Sequence, residues 1–199
     1  MDTRMRVRIA TILSAVVLSF FALGYWMGGE DTTEPLAWQE RFNDTLWVPL
    51  KERRLELGTL ERTLGEGRLW LISADDQPLL VSRYGLQSDG QAWRVQAVVE
   101  LNAEQLDSLV QAQAWQPGQH DQPLSPAVGE ALAAQAISRL SLIPAEAVDV
   151  EQIQATFGNP DMRLEVAEGE AWVYPKAGVV IAVTGEQAHS VMYGLQGGL

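Results

Sequence analysis

Four residues bound the chemistry open to this chain: the adjacent carboxylates Asp75 and Asp76, and its only two histidines, His120 and His189. Paired carboxylates can divide general-acid and general-base work when their surroundings push their ionisation apart. Asp75 and Asp76 stand before Gln77-Pro78, however, and acids in that setting read as a solvated turn. His120 lies in a Gln/Pro-rich loop beside Asp121, and His189 opens a strand-like run. Neither has a second ligand nearby, so no metal site is expected. A Ser-His-Asp set can be drawn from any chain of this size, but no G-x-S-x-G elbow supports one here. P-loop and G-x-G-x-x-G motifs are also absent. No cofactor and no catalytic residue is therefore expected. A hydrolase using Asp75 and Asp76 stands as the alternative.

Composition narrows the classes further. The 199 residues hold 14 Lys plus Arg against 26 Asp plus Glu, a net charge of −12, and no cysteine. Nucleic-acid binding is excluded, because it draws its affinity from clustered cations. Without cysteine there are no disulfides, thiolate-zinc sites, iron–sulfur centres, thiol nucleophiles or cysteine-linked lipid. Apolar residues at 47% with 20% charged are the values of a folded globular chain.

The charge is divided unevenly. Three arginines and one aspartate precede residue 28; 11 basic and 25 acidic residues follow, so the later part carries −14. Between Arg8 and residue 28 runs the uncharged IATILSAVVLSFFALGYWM (9–27). As a helix its 19 residues span roughly 28 Å, about the thickness of a bilayer's hydrocarbon core. Tyr25 and Trp26 stand where aromatic rings favour the interface, and Arg4, Arg6 and Arg8 hold the leading tail in the cytoplasm. The rival reading is a cleaved signal peptide ending at Ala22-Leu23-Gly24, but the apolar run continues past that site. Arginine outnumbers lysine 12 to 2, which fits a GC-rich genome. The reading is a single-pass bacterial inner-membrane protein with a cytoplasmic tail (1–8), an anchor (9–27) and a periplasmic body.

In the body, residues 28–64 form a polar linker and a juxtamembrane helix. Pro35 suits a first helical turn capped by Thr33, and Pro49 must kink the helix or start another. Leu46, Leu50, Arg53, Leu57, Leu60 and Leu64 recur at heptad spacing. That seam can pack on its own domain or pair with a partner. Residues 65–118 read as a three-stranded meander (68–73, 78–86 and 91–101) and a helix opened by an Asn102/Gln105 capping box. This helix buries Leu106, Leu109 and Val110, with Trp115 beyond. A subdomain boundary is placed in the loop 116–126. Residues 119–199 read as a helical hairpin followed by an antiparallel sheet. Ser125-Pro126 starts a helix to about Leu142, striped by Val128, Leu132, Ala136, Leu140 and Ile143. A second helix ends at Gly158, and four strand-like runs (162–167, 170–175, 178–184 and 189–194) complete the chain. The fold class is α+β, and one sheet drawing strands from both halves is compatible with it.

The carboxy-terminal stretch resembles a known family. Phe157, Gly158, Pro160 and Asp161 match a helix-ending "lGxPd" turn; Trp172 and Tyr174 match a W-x-Y strand. Gly178, Val179, Ile181 and Val183 fit the next strand, and Val191 and Tyr193 the last. This pattern is similar to the SmpA/OmlA (BamE-type) outer-membrane-assembly lipoprotein domain, and more loosely to the β-lactamase-inhibitor protein fold. It covers residues 148–193 of 199, and the chain departs from the family in having no cysteine to acylate. The resemblance implies a noncatalytic binding or scaffolding module of the envelope.

The expected function is therefore a membrane-anchored periplasmic factor that binds a protein partner or itself. Leu50, Leu57, Trp172 and Tyr174 are its candidate contact residues. An inhibitor-like protein that plugs another protein's cleft is a further alternative.

Overall fold

The computed structural model of the chain describes residues 33–194 apart from 117 and 119. The expected tail, anchor and most of the polar linker lie outside the described residues. Among those described, no helix is long and apolar enough to cross a membrane.

The segment expected as a juxtamembrane helix is not one helix. α1 (Ala37–Arg41) leads into a π-helical turn (Asn43–Trp47) and then α2 (Val48–Lys51). Pro49 sits in the first turn of α2, where its missing N–H would have had no helical acceptor. The expected helix across 46–64 stops at Arg53, which takes a left-handed φ of 57° while the Arg54 amide donates to the Pro49 carbonyl at 2.9 Å. The chain then runs extended: the Ile137 amide donates to the Leu55 carbonyl at 2.8 Å, and Glu56 bridges Ala136. α3 (Leu57–Leu64) follows. The leucines of the seam still share a fate. Leu46, Leu50, Leu57 and Leu60 are all buried in the domain's own core.

β1 (Arg68–Ala74), β2 (Gln77–Ser88) and β3 (Gln91–Val99) form the antiparallel meander read from the sequence. Asp75 and Asp76 make the first turn, both left-handed at φ 51° and 60°, as the twist of a two-residue hairpin requires. α4 (Ala103–Gln113) opens with the expected capping box: Asn102 Oδ1 accepts from the Gln105 amide at 2.8 Å, and Gln105 Oε1 accepts from the Asn102 amide at 3.0 Å. Asn102→Ala should cost about 1 kcal/mol, read as a lower urea midpoint at unchanged slope. Leu106, Leu109 and Val110 are half-buried, while Trp115 is buried.

The largest departure follows. After β4 (Gln122–Pro123) comes α5 (Pro126–Ala131), which ends 11 residues before the expected Leu142. Residues Ile137–Pro144 are strand β5 instead. Leu140 and Leu142, alternating with Arg139 and Ser141, satisfy a period of two as well as a helical stripe. Strand wins because β5 pairs with a neighbour on each side, a tertiary gain that local periodicity does not register. The expected helical hairpin is thus two short helices separated by a central strand. β6 (Val148–Asp149), α6 (Val150–Phe157), β7 (Met162–Val166), β8 (Gly169–Tyr174), β9 (Val179–Thr184) and β10 (Gln187–Tyr193) complete the described chain. Gly158 ends α6 at φ 78°.

Ten strands form one sheet in the order β4-β1-β2-β3-β5-β10-β9-β8-β7, with β6 added on β10. The sheet runs through the boundary expected at 116–126, and the described residues from Glu34 form one compact unit. β5 joins the two halves.

Candidate interaction surface

Strand register sorts side chains between the two faces of this sheet. One cross-strand row reads Trp172, Ile181, Val191, Leu142, Val95 and Tyr84, from β8 to β2. All six are buried, and this face carries the core. Trp38 of α1 lies against it with ring centroids 5.4 Å from Trp93 and 6.2 Å from Tyr193. Trp47 stacks on Tyr193 at 4.1 Å, with the planes 10° apart. Trp38 and Trp47 therefore pack inside the domain.

The four expected contact residues all fall on the covered side. Leu50, Leu57, Trp172 and Tyr174 are each no more than 5% exposed. Trp172 and Tyr174 do share a sheet face, as their spacing requires, but it is the face the helices cover. Trp172 Nε1 donates to Glu170 Oε2 at 2.7 Å, and the Tyr174 hydroxyl donates to the Gly158 carbonyl at 3.2 Å. In this conformation none of the four offers a surface to a partner.

The opposite face carries a different row: Met162, Val173, Val180, Met192, Ser141, Gln96 and Arg83, from β7 to β2. It is apolar at the β7 end and polar toward the middle. β7 is the terminal strand, and its Met162, Leu164 and Val166 are 39%, 48% and 52% exposed. They are the large hydrophobic side chains that stand out in solvent among the described residues. Arg163 and Glu165 alternate with them on the core side, where the Arg163 guanidinium stacks 4.3 Å from the centre of the Trp172 ring. The sequence signal was present in the alternation of MRLEV. What hid its meaning was the choice of covered face, which the packing of other elements decides.

The residues of the catalytic alternative are not assembled. Asp75 and Asp76 are exposed at the turn tip, and His120 and His189 are exposed. A hollow of about 690 Å³ collects Glu61, Glu66 and Glu130 beside Arg68 and Ser125, but neither Asp75 nor Asp76 lines it. A cleft of about 350 Å³ lies between Trp47, Lys51, Arg53, Glu100 and Tyr193. Among the described residues no cluster of three His, Asp or Glu is arranged to hold a metal ion.

Burial perturbs three tyrosines. It pushes the Tyr84 and Tyr174 hydroxyls up to about 12, and raises Tyr193 well above the ordinary value; the Tyr193 hydroxyl donates to Gln39 Oε1. In the unfolded chain tyrosines ionise near pH 10. Between about pH 10 and 12 the unfolded state therefore loses protons that the native state keeps, so stability falls as pH rises through that window. Below pH 10 these groups contribute no slope. Urea midpoints at pH 9, 10 and 11 should show this, and Tyr84→Phe should flatten the decline.

No protein-family model, curated protein or solved structure matches the chain. What the fold defines is a class: an α+β domain with one long antiparallel sheet, helices on one face, and an apolar terminal strand open to solvent.

Proposed function

We propose that this chain is a noncatalytic partner-binding or envelope-assembly factor, held in the bacterial inner membrane by residues 9–27 with its body in the periplasm. The observation that carries the reading is β7: three exposed apolar side chains on a terminal strand whose outer edge pairs with no other strand among the described residues. Native sheets usually blunt such an edge, because it is a template for pairing with another chain. The other end of the sheet is blunted, since β1 is covered by the two-residue β4. The resemblance of residues 148–193 to envelope-assembly lipoprotein domains points the same way.

A photo-crosslinking residue at Leu164, in the full chain in its membrane, tests the docking edge. A discrete protein adduct is expected there and none at Gln77, an exposed position on β2. The absence of any adduct at Leu164 overturns the reading. Mass spectrometry of the membrane fraction tests the anchor separately. An intact amino terminus is expected, and a mature chain beginning at Tyr25 overturns it.

A further inference from the structure

We propose that β7 docks on β7 of a second copy of this chain, antiparallel, across a two-fold axis at Leu164. This deepens the reading above and rests on it, since it names the occupant of the same edge.

The backbone sets which residues can pair. β7 and β8 are joined by the two-residue turn 167–168, with Val166 opposite Gly169. Residues flanking so short a turn must form a hydrogen-bonded pair. Alternation along the ladder then turns the N–H and C=O groups of Met162, Leu164 and Val166 toward β8. Those of Arg163 and Glu165 face the free edge. A second β7 can join only in a register that brings outward-facing residues opposite one another.

Three such registers pair at least three strand residues from each copy. Centring on Arg163 sets arginine against arginine; centring on Glu165 sets glutamate against glutamate. Centring on Leu164 sets Arg163 opposite Glu165 of the second copy, twice by symmetry. It also sets Met162 opposite Val166 and Leu164 opposite itself. Only this register pairs all five strand residues, matches both charges and keeps the apolar side chains together on one face.

Charges already on the sheet favour the same arrangement. Glu165 lies directly opposite Glu170, a like-charge pair across the β7–β8 ladder. Among the described residues neither Arg163 nor Glu165 has an ion-pair partner. Arg163 of a second copy would stand on the other side of Glu165 and offset that repulsion. The edge is short, so the association gains from tethering both copies in one membrane, where effective concentration is high.

The absence of native cysteine makes the test clean. Leu164→Cys places two thiols at a non-hydrogen-bonded antiparallel pair, where side chains approach most closely. Membranes carrying the full-length variant, treated with a mild oxidant, should give a disulfide-linked dimer, and Arg163→Cys at least about 10-fold less, given the greater side-chain separation in that register. In the Leu164→Cys background, either Arg163→Glu or Glu165→Arg should abolish the dimer, because each creates like-charge pairs. Combining both substitutions should restore it. This rescue separates lost pairing from lost folding. No dimer from Leu164→Cys, equal yields from 163 and 164, or no rescue by the double swap each overturns self-pairing. If photo-crosslinking at Leu164 then captures a different protein, the docking edge stands and the occupant is wrong. If it captures nothing, both fail.

Discussion

Replacing Trp38 by alanine should destabilise the domain by about 3–5 kcal/mol, the range for deleting a large buried aromatic side chain. Trp38 is fully buried, and its ring lies 5.6 Å from Trp47, 5.4 Å from Trp93, 6.4 Å from Phe157 and 6.2 Å from Tyr193. These neighbours come from the π-helical turn Asn43–Trp47, β3, α6 and β10, so no single element can close the cavity. Domains are stable by only about 5–15 kcal/mol, so the loss is a large fraction of the whole. Trp38→Phe should cost far less, roughly 1–2 kcal/mol, because an aromatic ring remains. The indole nitrogen it removes is buried without a hydrogen-bond partner. Urea unfolding followed by circular dichroism separates the two variants. Equal losses would show that the site is not an aromatic junction.

Gly169→Ala should cost roughly 2–4 kcal/mol, from steric overlap added to backbone strain. A Cβ there would sit 2.2 Å from the Val183 carbonyl oxygen and 3.0 Å from Thr184 Oγ1, and φ is +137°. The obstruction is backbone of β9, itself fixed between β8 and β10, so the β7–β8 hairpin must lift. Gly158→Ala is the control. Its φ is +78° and its ψ −163°, but a Cβ there would meet nothing within 4 Å, so backbone strain alone, roughly 1–3 kcal/mol, is expected without the steric overlap. A moved hairpin should also lower the Leu164→Cys crosslink, which Gly158→Ala should leave intact. Equal unfolding midpoints for the two variants would contradict the close approach of Gly169 to β9.

The meander, the Asn102 capping box, the stop at Gly158 and the four carboxy-terminal strands were legible because each rests on neighbours a few residues apart. Helix boundaries were legible only where a cap or a proline marked them. The seam across 46–64 identified the right leucines but not their partner: Arg53 supplies the left-handed stop that glycine usually signals, and the sheet receives the side chains. The stripe through Leu140 and Leu142 fitted two periods, and only pairing with β3 and β10 selected between them.

The contact residues followed the same division. Trp172 and Tyr174 were correctly placed on one face of one strand, and β7 was visible as an alternating run. Which face was covered depended on packing partners: Phe157 of α6 lies 5.6 Å from Tyr174, and Trp38 and Trp47, far earlier in the chain, lie against Tyr193 on the same face. By itself the sequence determined the composition-level limits and the local elements: no cysteine and so no thiol chemistry, a net charge of −12, and strands and turns where their residues demand them. The solvated turn at Asp75 and Asp76 was legible too, and only the tertiary structure decided that the apolar alternation of Met162, Leu164 and Val166 ends on an open edge. A strand's two faces are set by its own period, but burial is set by whatever packs on it, and that information lies elsewhere in the chain.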